Sequence, residues 1–169
     1  LDSINSRTRD DGHAPGMDDN ASGIGVITGL LEMLVRSDFY PARTVKLFGY
    51  AAEEIGLLGS SEIANSYRIE NVNIVGVSQF DMTGYQGSTD VDFVFIRDYT
   101  NAAQNDFMAA LVDNYLPHMT YIYDICGYAC SDHAAWTNAG YRASFPFEAS
   151  FEDSNPLIHS AADNYVDVS

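Results

Sequence analysis

The feature that most constrains this chain is that apolar, strand-like runs end on acidic residues and alternate with segments of helical period. Thr44-Val45-Lys46-Leu47-Phe48-Gly49-Tyr50 reads as a strand, and Ala51-Ala52-Glu53-Glu54-Ile55-Gly56 follows at once. Ile74-Val75-Gly76-Val77-Ser78-Gln79-Phe80 reads as a second buried strand and ends on Asp81. Around them, Ile24, Ile27, Leu31 and Leu34 recur at helical spacing and predict a helix from about Asn20 to Arg36, its acidic start matching the positive end of the helix dipole. Further helices are expected over Glu62 to Ile69, Ala102 to Leu116 and Asp132 to Asn138, and further strands over Val91 to Ile96, Tyr121 to Tyr123 and Ala143 to Phe147. Such alternation implies an α/β three-layer sandwich around a mostly parallel sheet.

In such folds, function gathers in the loops beyond the carboxyl ends of the strands. Asp81 and the Glu53-Glu54 doublet sit at two such ends. Asp19 opens a helix expected to follow a strand that ends near Leu1-Asp2. Adjacent carboxylates at a strand end can divide their labour, one holding a metal while the other moves protons, as metal-assisted hydrolysis requires. Glu-Glu is also common on solvated surfaces, so the doublet needs partners to carry that reading.

With 169 residues, 46% of them hydrophobic, the chain can bury one sizeable core, and residues 1–169 are expected to form a single domain. The chain opens on Leu1-Asp2-Ser3 without Met or targeting segment and reads as cut at both ends, short of N-terminal strands and a C-terminal helix. No apolar run approaches the roughly 20 residues that span a bilayer. Acidic residues outnumber basic ones 24 to 8, so nucleic acid and anionic membrane surfaces would be repelled. Some of those carboxylates would be neutralised if divalent cations bind.

Cys126 and Cys130 lie in Asp124-Ile125-Cys126-Gly127-Tyr128-Ala129-Cys130. A small disulfide loop is the simplest account and would imply an oxidising, extracytoplasmic compartment. A zinc site using both sulfurs and His133 is the competing account, although structural zinc normally takes four ligands and no second Cys pair exists. Of the other histidines, His13 and His118 read as solvated, while His159, in Asn155-Pro156-Leu157-Ile158-His159, stands in a late loop that can present a ligand.

Five segments occur in order: Gly16-Met17-Asp18-Asp19-Asn20-Ala21-Ser22-Gly23, Ala51-Ala52-Glu53-Glu54-Ile55-Gly56-Leu57-Leu58-Gly59-Ser60, Phe80-Asp81-Met82, Cys126-Gly127-Tyr128-Ala129-Cys130-Ser131-Asp132-His133 and Asn155-Pro156-Leu157-Ile158-His159. Together they resemble the secreted di-zinc aminopeptidases, most closely the bacterial leucyl aminopeptidases of the Vibrio type. The resemblance implies that Asp19 bridges two zinc ions, that Glu54 and His159 complete one of them and that Asp81 ligates the other. The remaining ligand of that second ion is, in the family, a histidine in His-Leu-Asp-Ser. Only Leu1-Asp2-Ser3 stands here, with Asp2 the supporting acid, so the resemblance implies two Zn2+ in a longer parent and one complete site in this chain.

Further implications of the resemblance are Glu53 as general base and the Tyr128 hydroxyl as a donor to the oxyanion. The Cys126–Cys130 disulfide would hold Tyr128 rigid. Met82, Ile96, Phe147, Phe151 and Ile158 would line an apolar pocket for a Leu-like first side chain. Phe145 and Ser154 depart from the expected Met and Tyr, which bears on pocket size. Partners would be peptides with a free N-terminus, acted on by a secreted monomer. Carboxypeptidases and a single-zinc glutaminyl cyclase use the same fold, and metal-free receptor ectodomains are related; the latter lack the base and ligands that stand in this sequence. A third expectation is a catalytically incompetent fragment: the 169-residue chain is expected to bind less than two equivalents of zinc and to have little activity.

Overall fold

Helix α1 (Gly23–Arg36) begins at Gly23 rather than Asn20, because Met17–Ser22 form an irregular turn in which Asp19 (φ −106°, ψ 88°) and Asn20 (φ −137°, ψ 42°) are not helical. The fold is described from a computed structural model covering residues 3–8 and 12–168. Gly23 is required where α1 starts: a Cβ there would lie 2.3 Å from the Phe80 carbonyl oxygen, so the helix begins in contact with the segment that carries Asp81. Ile24, Ile27 and Leu34 are half-buried, whereas Leu31 is exposed.

Helix α2 (Leu58–Ile69) starts at Leu58 instead of Glu62. The turn after the glutamate doublet feeds straight into it, closed by bonds from the Gly56 and Leu57 N–H groups to the Glu53 carbonyl at 2.9 and 2.8 Å. Helices α3 (Ala102–Tyr115), α4 (His133–Asn138) and α5 (Tyr165–Val168) follow, and Asn101 caps α3 by accepting from the Gln104 N–H.

Among the described residues, strands β1 (Val77–Ser78), β2 (Phe93–Ile96), β3 (Tyr121–Asp124) and β4 (Ala143–Phe147) form one sheet in the order β1-β4-β2-β3. The β1–β4 and β2–β3 pairs are parallel and β2–β4 is antiparallel. The mostly parallel sheet expected from the sequence is present.

Strand alternation sets the layers. Ser144 points to α3, where Gln104 Nε2 donates to its Oγ at 2.8 Å, while its neighbour Phe145 stacks on the His133 ring of α4 with centroids 4.7 Å apart. Helices therefore cover both faces, and α2 packs outside α4. One core cluster joins Met82, Val94, Ile96, Phe145 and Phe147; a second joins Ala64, Trp136, Ala139 and Ala143.

One expected strand is corrected. Residues 44–50 pair with no strand among the described residues, and of the run 74–80 only Val77 and Ser78 enter the sheet. Side chains hold 44–50 instead: Phe48 packs on Tyr50, Tyr67 and Trp136, and Lys46 Nζ donates to the Tyr67 hydroxyl at 2.6 Å. Both runs and α1 line a cavity of about 800 Å³, so the β-forming composition of 44–50 finds no ladder partner among the described residues. No helix among the described residues is long and apolar enough to cross a membrane.

Candidate metal centre

Three turns converge at one end of the cavity. His159 Nε2 lies 3.1 Å from Asp19 Oδ2 and 3.1 Å from Glu54 Oε2, and one ligand atom from each residue falls within 4.8 Å of the others. Asp19 comes from the turn before α1, Glu54 from the turn before α2 and His159 from the late loop. The backbone is bent to achieve this: Ala52, Met82 and His159 all adopt left-handed φ of 54 to 59°, each beside or at a residue of the cluster. Non-glycine residues in that region cost about 1–3 kcal/mol and concentrate at functional sites.

Asp81 is buried next to this group and accepts from the Ser131 hydroxyl at 2.5 Å through Oδ2. Its Oδ1 and Glu54 Oε1 are buried and accept no hydrogen bond from the described residues. Orphaned, buried carboxylate oxygens beside an imidazole are a donor set that fits zinc.

The electrostatics follow from this crowding. Burial first, then the charges of Asp81, Asp132, Glu54 and Asp19, push Glu53 up to about 9. Burial and Asp19 raise Asp81 to about 8. Asp19 is also raised, chiefly by burial and against the lowering effect of its bond to His159. His159 is raised as well, to about 10, because Asp19 and Glu54 both accept from it. Acids raised by their mutual crowding beside an imidazole raised by two of them are what a cluster shows when its negative charge needs a cation.

Cys126 and Cys130 form a disulfide with a 2.00 Å S–S bond. The competing cysteine zinc site is thereby excluded, and His133 is buried with Nε2 against the Asp98 carbonyl at 3.0 Å. Tyr128, carried on that loop, is largely exposed and sits edge-on to Phe151. Its hydroxyl is raised by desolvation and by Glu53, Asp81, Glu54 and Asp19, so it stays protonated at neutral pH and faces the same acids.

Met82, Ile96 and Phe147 are buried in the first core cluster, with the half-buried Phe151 and Ile158 packed over them. Phe145 belongs to the same cluster, and the Ser154 hydroxyl is turned away to the Phe151 carbonyl. His13 and His118 are exposed. Asp2 lies outside the described residues.

Other participants escape a reading of the sequence. Ser131 orients Asp81, and Asp132 is buried and acts on Glu53; both stand inside the cysteine-loop motif, which was the available signal. Beneath the cluster, Asp18 accepts from Gly84 N–H and Asn155 Nδ2 at 2.9 and 3.0 Å. Glu148 accepts from Gly84 and Tyr85 N–H and is pushed up to about 8 by burial and by Asp18. Glu148 carried no sequence signal.

The model of peptidase family M28 matches residues 1–169. The chain belongs to peptidase family M28. A probable leucine aminopeptidase of Arthroderma benhamiae is 38% identical over 172 residues, covering 98% of this chain and 46% of that protein. Among solved structures, the LapA aminopeptidase of Legionella pneumophila superposes with a TM-score of 0.82 at 33% identity, over 99% of this chain and 44% of its own. Its relative LapB superposes with a TM-score of 0.85 at 32% identity, over 91% and 42%. A zinc aminopeptidase from Bacillus subtilis shares the fold, with a TM-score of 0.72 at 20% identity over 91% and 38%. The chain spans about half the length, or less, of these relatives.

Proposed function

We propose that this M28 chain carries the catalytic domain of a zinc-dependent aminopeptidase that removes N-terminal, preferably Leu-like residues from peptides. The observation that supports this best is the meeting of Asp19, Glu54 and His159 beside a second, buried acid pair, Glu53 and Asp81. Asp19, Glu54 and His159 would hold one zinc ion, and Asp19 with Asp81 would face a second. Zinc, when bound, would acidify a water and polarise the scissile carbonyl.

Glu53 does the proton work. Burial first, and then the neighbouring acids, favour the protonated form of Glu53; cationic charge held by those acids would favour its carboxylate, which could take a proton from the attacking water and pass it to the departing amine. Tyr128, protonated at neutral pH, donates to the oxyanion. Phe151 and Ile158 offer an apolar surface to the first side chain of the substrate, over Met82, Ile96 and Phe147. The free α-amine of the substrate would be held at the metal centre, which favours cleavage at N-termini. The disulfide supports secretion into an oxidising compartment, and the charge of −16 supports a partner other than nucleic acid. We read the protein as a monomer.

Hydrolysis of leucyl-p-nitroanilide by the zinc-loaded protein, against an N-blocked analogue and a C-terminal carboxypeptidase substrate, tests this reading. Cleavage of the free-amine substrate alone is expected; cleavage of the blocked or C-terminal substrate would transfer the chain to another reaction on the same fold.

A further inference from the structure

Asp163 is a buried carboxylate whose two oxygens are both spent on the backbone of another loop. Oδ1 accepts from the Asp18 N–H at 2.9 Å and Oδ2 from the Asp19 N–H at 3.1 Å, and the Asp163 carbonyl accepts from the Met17 N–H at 3.1 Å. These amides need an outside acceptor, because Asp19 and Asn20 leave helical geometry and the turn supplies no carbonyl in register. Asp163 belongs to the same turn as His159: its own N–H reaches the Ser160 carbonyl at 3.3 Å, and Ser160 Oγ ties back to Leu157 O at 2.6 Å. A second strut runs alongside, from Asn155 Nδ2 to Asp18 Oδ2 at 3.0 Å.

We propose that Asp163 is a positioning residue for the metal centre: its carboxylate clamps the backbone of Asp19 to the turn that carries His159, and so sets the separation of those two ligand groups. The inference rests on the reading of Asp19 and His159 as zinc ligands. Nothing about charge alone would require both oxygens to face consecutive amides; that bidentate arrangement fixes the Asp19 peptide in position and direction. It also helps to explain how an aspartate at residue 19 and a histidine at residue 159 meet without an adjoining strand of their own: the two turns are joined by hydrogen bonds from Asp163 and Asn155 rather than by a ladder.

The test is a zinc titration against a chromophoric chelator for the wild type and for D19N, D163N, D163A and D153N, with the visible spectrum of the cobalt-substituted protein recorded for each. D163N keeps one acceptor and turns an amide toward the other N–H, so folding is retained while one tether is lost. Zinc affinity is expected to fall about 10- to 100-fold in D163N, as for other outer partners of metal ligands, and the cobalt band is expected to shift. D163A should fall further. Asp153, which accepts from Ser88 and Ser150 away from the centre, controls for general loss of a structural carboxylate, and D153N should bind zinc as the wild type does. Folded D163N with wild-type zinc affinity and an unshifted cobalt band, while D19N loses affinity, would overturn the proposal and leave the ligand assignment standing. Unchanged affinity in D19N would sink the ligand reading itself, and the role of Asp163 with it.

Discussion

Ser131 donates its hydroxyl to Asp81 Oδ2 at 2.5 Å, and this bond decides which oxygen of Asp81 faces the cluster. Oδ1, which accepts from none of the described residues, is the oxygen that the proposed reading offers to a cation. Replacing Ser131 by Ala removes that restraint without changing any ligand. Zinc affinity at the Asp81 position is expected to drop about tenfold or more, read by zinc competition, with circular dichroism unchanged.

Glu53→Gln keeps the size and polarity of the side chain but cannot take up a proton. In the zinc-loaded protein, kcat on leucyl-p-nitroanilide is expected to fall about 10²- to 10⁴-fold while zinc content is retained. Loss of zinc together with activity would instead make Glu53 a ligand.

Tyr128→Phe removes a hydroxyl from a loop that the Cys126–Cys130 disulfide already holds. Activity should fall on the order of 10²-fold, carried by kcat rather than KM, as expected for a donor that matters once charge develops on the carbonyl oxygen. Steady-state kinetics on the zinc-loaded protein separates the two parameters.

His133 gives a pH dependence of stability outside the ligand set. Burial lowers its pKa from 6.5 to about 4, against the raising effect of the Asp98 carbonyl. The unfolded chain therefore takes up a proton below 6.5 that the folded protein refuses until about 4, so this group's contribution to stability is lost as pH falls through that window, at up to about 1.4 kcal/mol per pH unit. Phe at this position keeps the stack on Phe145 and carries no proton. Urea unfolding between pH 7 and 4 should show a shallower decline for H133F than for the wild type, whatever other groups contribute to both.

The sequence is most legible where structure is local. Ala143 to Phe147 forms the strand its composition predicts, and α3 ends within a residue of expectation because Asn101 caps one end and Pro117 follows the other. Residues 44–50 have the same β-forming composition, yet pairing is a non-local property and Phe48 of this run packs on Tyr67 and Trp136 instead. Likewise Asp19, Glu54 and His159 were readable as a set because each stands in a motif whose residue types carry chemistry. Ser131, Glu148 and Asp163 were not, since a hydrogen-bonding role belongs to a spatial neighbour rather than to spacing along the chain. Asp163 differs from the other acids of this chain only by which amides it meets.

Zinc binding by the wild type and by H159A is the most direct measure of the central claim, that Asp19, Glu54 and His159 share a cation. The wild type should bind zinc stoichiometrically and H159A at least about tenfold more weakly, with the fold intact. Equal affinity in the two proteins would mean that the imidazole 3.1 Å from both carboxylates is only their hydrogen-bonding partner.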